Sequence, residues 1–162
     1  KFLLGSASGI TGLPVVFHTP HIIADVFPVG RIQSWAFMQI NVPRIARKDG
    51  KILNIREMVE LSIIGRNDDQ YYKKNGIQIV ENEPEEILGA VKDMENKMQN
   101  GFYVNEVNMK FWKNMERDWT RGTDPDWSGR HKYFNFFHEI HRIKTTIPDF
   151  FLKKYSDAYL DY

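Results

Sequence analysis

The first 24 residues constrain the fold most, because a turn of small residues separates two apolar runs there. The runs at residues 2–4 and 21–24 lack alternation of apolar and polar side chains, which is typical of parallel strands covered on both faces. Residues 10–17 have the length of a short helix, and Pro20 then breaks the chain. This order predicts a strand, a turn, a helix and a second, parallel strand.

Length and composition limit the number of domains and the class of protein. Its 162 residues, 42% of them hydrophobic, predict a single domain over residues 1–162 with a core of its own. No apolar run has the length of a bilayer span, and a net charge of +1 gives little attraction to nucleic acid. The sequence contains no cysteine, which excludes disulfides and thiolate metal sites and fits a reducing compartment.

Helices and strands alternate along the rest of the chain. Apolar residues at helical spacing predict helices over residues 55–64 and 106–119, and residues 77–80 read as a third strand. Residues 132–160 are rich in aromatic side chains and are expected to form a helical tail, broken at Pro148. Such alternation predicts an α/β domain with a parallel, Rossmann-like sheet.

The clearest helix signal follows Asn82. Asn82 is a favourable N-cap, Glu85 lies at the capping-box spacing, and Pro84 occupies the first turn, where its missing N–H costs nothing. One buried stripe is expected along this helix, formed by Ile87, Val91, Met94 and Met98.

The turn Ser6-Ala7-Ser8-Gly9 is the leading candidate for a functional site. It follows a strand and opens a helix at the carboxyl edge of a parallel sheet, where ligands of open α/β folds collect. Free N–H groups at a helix start attract anions, and Ser6 and Ser8 add hydroxyl donors. The same residues also suit a plain tight turn, so phosphate binding and a structural turn both remain open.

Basic residues that could face such a phosphate lie further along the chain. Arg44, Arg47 and Lys48 could supply cations to a diphosphate, and Arg31 is a weaker candidate. A run of charged residues is more commonly a solvated surface, and this alternative stays open as well.

The five histidines do not predict a metal site. His138 and His141 are one residue short of the zincin spacing, and His131 lies one heptad earlier, so packed or exposed histidines are the better interpretation. His18 could contact a ligand at the sheet edge or cap the first helix. The aromatic residues between positions 112 and 137 lack a basic excess, which argues against nucleic-acid binding.

Four segments occur in an order that is informative as a set. Residues 2–9 (F-L-L-G-S-A-S-G), followed by Leu13-Pro14 and Thr19-Pro20, resemble the pattern F-I-G-x-x-S-G … P … G-T-P. Residues 49–58 are similar to G-x-x-L-(T/S)-x-x-E-(I/M), residues 76–87 look like G-(I/V)-x-(I/V)-x-N-T-P-E-E-I, and residues 147–152 are similar to I-x-x-x-F-L. In these segments the chain resembles bacterial glycosyltransferases that build surface carbohydrates.

The chain departs from the family pattern at three places. His18 stands where glycine is usual before Thr-Pro, Glu83 stands where threonine is usual, and residues 120–137 read as an insertion. The basic ligand position is ambiguous among the three cations named above.

The resemblance implies the GT-B fold, in which two Rossmann-like halves face each other across a cleft, with this chain as the C-terminal, donor-binding half. It implies that Ser6, Ser8 and Gly9 lie at the donor diphosphate, and that Ile10 and Thr11 continue the set of helix-start N–H groups. Arg44, Arg47 or Lys48 would offset the charge.

The resemblance also implies the partners of the chain. These are a nucleotide-sugar donor, a glycan or lipid-linked acceptor, and an N-terminal domain of the same protein that supplies any general base. No metal or other cofactor is obligatory for such enzymes, and the implied location is the cytoplasm or the inner face of the membrane. The chain alone is then expected to be an inactive fragment.

Three other functions fit the same residues. A sugar-nucleotide epimerase shares the architecture and a similar serine–glycine loop, and it would change the sugar without an acceptor. A non-catalytic carbohydrate-binding or scaffold module would have no affinity for nucleoside diphosphates. The third alternative is a folded remnant that is stable and inactive.

Overall fold

The computed structural model describes residues 1–6, 8–32, 34, 36–119 and 143–162. The strands in these ranges are β1 (Leu3–Ser6), β2 (His21–Val26), β3 (Gln39–Pro43), β4 (Ile45–Lys48), β5 (Lys51–Ile52), β6 (Ile77–Val80) and β7 (Thr145–Thr146). The α-helices are α1 (Gly12–Val16), α2 (Ile55–Glu60), α3 (Asp69–Lys74), α4 (Pro84–Asn100), α5 (Glu106–Trp119), α6 (Asp149–Lys154) and α7 (Ser156–Tyr159). Short 3-10 helices cover Gly9–Thr11 and Val29–Arg31.

Four strands form a parallel sheet in the order β1-β2-β3-β7. Ile22 on β2 aligns with Ile40 on β3, and both side chains are fully buried, because α4 packs against these two strands. The predicted strand–turn–helix–strand unit and the α/β class with a parallel sheet are therefore confirmed. The arrangement is compatible with a Rossmann-like fold.

The third predicted strand exists, but it lies outside the parallel sheet. β6 pairs antiparallel with β4, and β5 pairs with the other edge of β4, so a second sheet has the order β5-β4-β6. The β4–β5 hairpin turns at Asp49 and Gly50, whose φ values of 51° and 79° suit a two-residue hairpin turn. This turn sends the chain back along β4 before any crossover to the parallel sheet can form.

Helix α2 ends four residues earlier than predicted. Its start matches the prediction and carries a capping box, in which Asn54 accepts from the Glu57 N–H and Glu57 accepts from the Asn54 N–H. Ser62 then adopts a φ of 54°, and the N–H of Ile63 donates to the carbonyl of Met58. This left-handed residue closes the helix end.

Helix α4 exists as predicted, but its cap and its buried stripe are each shifted by one residue. Glu83, not Asn82, is the N-cap. The buried positions are Glu86, Ala90, Met94 and Lys97. Only Met94 belongs to the predicted stripe, because Glu86 turns inward to Lys154 and Tyr155 and rotates the helix.

The last part of the chain packs on α5, which has the predicted bounds. Phe111 on α5 and Phe151 on α6 both contact the buried ring of Tyr159, with ring centroids about 6 Å apart. Of the predicted tail over 132–160, residues 143–160 are described, and there a two-residue strand precedes the helical turns. Residues 120–142 lie outside the described residues, and they include the whole predicted insertion (residues 120–137) and the histidines at 131, 138 and 141.

Across the part of the chain that the structure describes, no helix has both the length and the apolar character needed to cross a bilayer.

Candidate functional site

A cavity of about 470 Å³ opens at the carboxyl ends of β1 and β2 and continues along the sheet to β3. The turn after β1 forms one wall with Ser8, Gly9, Thr11 and Gly12. The other lining residues are Ile23, Val26, Phe27, Arg31, Gln39, Asn41 and Asn67. The cavity therefore lies where open α/β folds collect ligands.

The predicted turn residues divide into two groups. Ser8 and Gly9 line the cavity, whereas Ser6 ends β1 as an exposed residue and the Ile10 side chain is 64% exposed without lining the cavity. Thr11 lines the cavity, but its N–H and its hydroxyl both donate to the carbonyl of Ser8, at 3.1 and 2.5 Å. Thr11 thus closes the turn and does not offer a free N–H to a ligand.

Arg31 is the cation that the structure brings to this cavity. It lies on the 3-10 helix that follows β2, and the N–H of the preceding Gly30 donates to the carbonyl of Ile64 at 2.7 Å, which fixes the position of this segment. Among the described residues, no carboxylate lies within ion-pair distance of the Arg31 guanidinium. Its charge is available to a ligand in the cavity.

The three stronger cation candidates do not line the cavity. Arg44 donates to Asp25 and to Glu81, each at 3.2 Å, so its charge is already offset. Arg47 and Lys48 lie on β4 in the antiparallel sheet, where Lys48 aligns with Lys51. Sequence order alone could not show that this segment leaves the parallel sheet.

Asp25 and Asn82 form a reciprocal pair next to Arg44. The N–H of Asp25 donates to Asn82 Oδ1 at 2.7 Å, and the N–H of Asn82 donates to Asp25 Oδ1 at 2.9 Å. Asp25 adopts a φ of 54°, and Asn82 Nδ2 also donates to the carbonyl of Pro43. The side chain of Asn82 is therefore used to join the start of α4 to β2, which explains why it does not cap the helix.

Four buried polar side chains form a hydrogen-bonded row across the parallel sheet, and two of them line the cavity. The row runs from His21 through Gln39 and Asn41 to Thr145, all of which are at most 1% exposed. The bonds join His21 Nε2 to Gln39 Oε1 at 2.9 Å, Gln39 Nε2 to Asn41 Oδ1 at 2.6 Å, and Asn41 Nδ2 to Thr145 Oγ1 at 2.8 Å.

One backbone carbonyl fixes the direction of the hydrogen bonds that join Gln39, Asn41 and Thr145. The Thr145 hydroxyl donates to the carbonyl of Gln39 at 2.8 Å, so its oxygen accepts from the amide nitrogen of Asn41. Asn41 Oδ1 then accepts from Gln39 Nε2. Each of the two amide nitrogens carries a second N–H besides the one that it donates within the row. The sequence signal that we missed is the alternation of Gln39 and Asn41 with apolar residues on β3.

No set of three histidine, aspartate or glutamate side chains within the described ranges is placed to hold a metal ion. His18 is exposed, has a φ of 48° and contacts the ring of Phe37, with centroids 5.9 Å apart. It does not line the cavity.

The charges and donors of the cavity are suited to an anionic, oxygen-rich ligand. Its charged lining residue is the guanidinium of Arg31, and its neutral polar groups are the Ser8 hydroxyl and the amides of Gln39, Asn41 and Asn67. No protein-family model, curated protein or solved structure matches the chain.

Proposed function

We propose that this chain is the donor-binding half of a glycosyltransferase with the GT-B fold, and that the 470 Å³ cavity holds the diphosphate of a nucleotide sugar. The observation that carries the proposal is the meeting of Ser8, Gly9 and Arg31 at the carboxyl edge of the parallel sheet. Small residues there let a phosphate approach the backbone, and the guanidinium can bind two phosphate oxygens at once.

In this function, the residues at the cavity stabilise the leaving group of the transfer reaction. An oxygen of the acceptor forms a bond to the anomeric carbon, the bond from that carbon to the diphosphate oxygen breaks, and the acceptor proton passes to a base. Negative charge develops on the departing nucleoside diphosphate, and donors already in place at that position lower the barrier. Arg31 and Ser8 have this role in our proposal, and the base belongs to the N-terminal half that the resemblance implies.

The cation that we assign to the diphosphate is Arg31, and not one of the three that the sequence favoured. Arg31 lines the cavity and lacks a carboxylate partner among the described residues, whereas Arg44 is held by Asp25 and Glu81. We therefore assign charge compensation to Arg31. The acceptor, a glycan or a lipid-linked carrier, and a location in the cytoplasm or at the inner membrane face remain part of the same proposal.

Calorimetric titration of the chain with nucleoside diphosphates and nucleotide sugars tests this function. Ser8→Trp places a large ring in the wall of the cavity and should lower the affinity at least about tenfold, while the folded state persists because Ser8 is exposed. Gln78→Trp, on the exposed side of β6, is the matched control and should bind as the unmodified chain does. Equal affinities of Ser8→Trp and the unmodified chain would contradict the proposed site.

A further inference from the structure

The amide groups of Gln39 and Asn41 have a fixed orientation. The single hydrogen of the Thr145 hydroxyl goes to the carbonyl of Gln39, because a carbonyl can only accept. Thr145 Oγ1 therefore accepts from Asn41 Nδ2, and Asn41 Oδ1 accepts from Gln39 Nε2. Gln39 Oε1 lies 2.9 Å from His21 Nε2. Both amide oxygens are thus turned to partners within the row.

Each of these two amide nitrogens has one N–H that lacks an acceptor within the described residues. Gln39 Nε2 and Asn41 Nδ2 carry two hydrogens each, and each nitrogen donates once, to the next member of the row. Both residues are 1% exposed, and a buried N–H without an acceptor costs free energy. Because native proteins leave few such groups unpaired, two of them in the lining of one cavity indicate a ligand-binding surface.

The two donors share the face of the sheet that lines the cavity. Gln39 and Asn41 are two residues apart on β3, whereas Ile40 between them lies on the face that α4 covers. Ile23 on β2 aligns with Asn41, and it lines the cavity together with Arg31. Within the described ranges, no carboxylate lines the cavity. A ligand there meets N–H donors and a positive charge, which suits an oxyanion.

We propose that Gln39 and Asn41 donate hydrogen bonds to anionic oxygens of the ligand, and that Thr145 is the positioning residue that holds both amides in this donor orientation. This inference rests on the proposed function, in which those oxygens belong to the diphosphate of the nucleotide sugar. Thr145 does not line the cavity, so it acts through Asn41.

The positioning role follows from what a reversed Asn41 amide would meet. Its oxygen would face Thr145 Oγ1, whose hydrogen is held by the Gln39 carbonyl, and two acceptors would then lie together. Its nitrogen would face Gln39 Nε2, and two donors would lie together. Both hydrogen bonds of Asn41 within the row would be lost, so the Thr145 hydroxyl favours the donor orientation.

Strand β7 offers a matched pair of buried threonines for a test. Thr145 and Thr146 are both fully buried, but Thr146 Oγ1 has no hydrogen-bond partner among the described residues. Thr146 aligns with Ile40 and lies on the opposite face of the sheet from the row. Valine at either position replaces the hydroxyl by a methyl group, and only Thr145→Val removes a hydroxyl that the row uses.

Calorimetric titration with inorganic pyrophosphate tests the inference, because this probe has the anionic oxygens and neither a nucleoside nor a sugar. We expect Thr145→Val to weaken binding about tenfold, and Thr145→Ser, which keeps the hydroxyl, to bind within about twofold of the unmodified chain. Thr146→Val should bind as the unmodified chain does. Equal affinities of Thr145→Val and Thr146→Val would contradict the positioning role.

Nuclear magnetic resonance of the unmodified chain gives a second measurement that does not depend on how the variants fold. Saturation with pyrophosphate should shift the side-chain amide resonances of Gln39 and Asn41. The side-chain amides of Asn96 and Asn100, which are exposed on α4, are the internal controls and should not move. Unchanged resonances of Gln39 and Asn41 would overturn the inference, and so would a lack of pyrophosphate binding.

These results can be separated from those for the proposed function. Pyrophosphate binding with the expected shifts, but without affinity for nucleoside diphosphates or nucleotide sugars, would support the inference and contradict the function. Nucleotide-sugar binding that Ser8→Trp abolishes and Thr145→Val leaves unchanged would support the function and overturn the inference.

Discussion

Glu86 carries a charge that is almost completely buried, with 3% of the residue exposed. Lys154 Nζ and the Tyr155 hydroxyl each donate to its Oε1 at 2.7 Å, and the N–H of Glu83 donates to Oε2 at 3.1 Å. Burial alone would raise the pKa of Glu86, but these hydrogen bonds outweigh it and hold the pKa below its ordinary value. This cluster joins the first turn of α4 to the last residue of α6.

Lys154→Met should lower the free energy of unfolding by about 2 kcal/mol, because it leaves the buried Glu86 carboxylate without its cation. The matched control is Lys153→Met. Lys153 is exposed and has no ion pair among the described residues, whereas the neighbouring Lys154 pairs with Glu83 and Glu86. Urea unfolding of both variants measures the difference. Equal losses in the two variants would show that the ion pair does not stabilise the fold.

Asn108 is a second buried polar residue that joins two parts of the chain. Its Oδ1 accepts from the N–H of Ile147 at 2.7 Å, and its Nδ2 donates to the carbonyl of the same residue at 3.0 Å. Asn108→Leu leaves both backbone groups buried and unpaired, and should lower the free energy of unfolding by roughly 2–4 kcal/mol. Asn96→Leu, on the exposed side of α4, should change it little in the same urea titration.

At the scale of elements, α4 and α6 meet at Gly89. A Cβ at this position would overlap Cζ of Phe150, so an alanine here requires the partly exposed Phe150 ring to move. Glycine inside a helix costs about 1 kcal/mol relative to alanine, and here the contact with Phe150 explains its presence.

A double-mutant cycle measures this contact. Gly89→Ala should destabilise the chain when Phe150 is present, because the ring must move. In a Phe150→Ala background the same substitution should stabilise the chain by about 0.5–1 kcal/mol, since only the helix propensity remains. The same effect of Gly89→Ala in both backgrounds would show that the ring moves aside freely.

The sequence predicted the elements whose signals are local and missed the features that depend on tertiary contacts. The strand–turn–helix–strand unit and α5 follow from apolar runs and helical spacing, and both are present. The antiparallel position of β6 depends on the Asp49-Gly50 hairpin. The shifted cap of α4 depends on a pair between Asn82 and Asp25, which are 57 residues apart in the chain.

The candidate site shows the same division. Ser8 and Gly9 lie at the cavity because the turn after β1 is a local feature. The sequence could not show that Arg31 is a better ligand candidate than Arg44. Arg44 is paired with Asp25 and Glu81, and these ion pairs depend on the tertiary structure. The row from His21 to Thr145 joins residues more than 100 positions apart, so single-sequence patterns could show only two polar residues in an apolar strand.

On the scale of the whole molecule, buried carboxylates connect distant parts of the chain. Asp118 at the end of α5 is 1% exposed and accepts from the hydroxyl of Tyr162, the last residue, at 2.9 Å. Burial would raise the pKa of Asp118, but hydrogen bonds from Arg117 and Tyr162 lower it below the ordinary value. The pKa values of Asp118 and Glu86 are thus both lowered in the folded state, so both ionised carboxylates stabilise the fold.

Stability should therefore fall on acidification. A carboxyl group whose pKa is lower in the folded state stabilises that state fully above its unfolded pKa, and the contribution is lost as pH falls through the folded pKa. With ordinary values of 4.5 for Glu86 and 3.8 for Asp118, the free energy of unfolding should decline between roughly pH 5 and pH 2. Glu86→Gln should flatten this dependence in urea titrations, and an unchanged slope would contradict the assignment.

Our proposed function requires that the cavity beside the β1 turn bind a nucleoside diphosphate through Arg31. Calorimetric affinity of one nucleoside diphosphate for the unmodified chain, Arg31→Gln and Arg44→Gln tests it most directly, with circular dichroism to verify folding. We predict that Arg31→Gln weakens binding about 10–100-fold, as expected for loss of a charged hydrogen bond, and that Arg44→Gln weakens it less than about threefold. Loss of binding in Arg44→Gln with retention in Arg31→Gln, or no binding by the unmodified chain, would contradict the account.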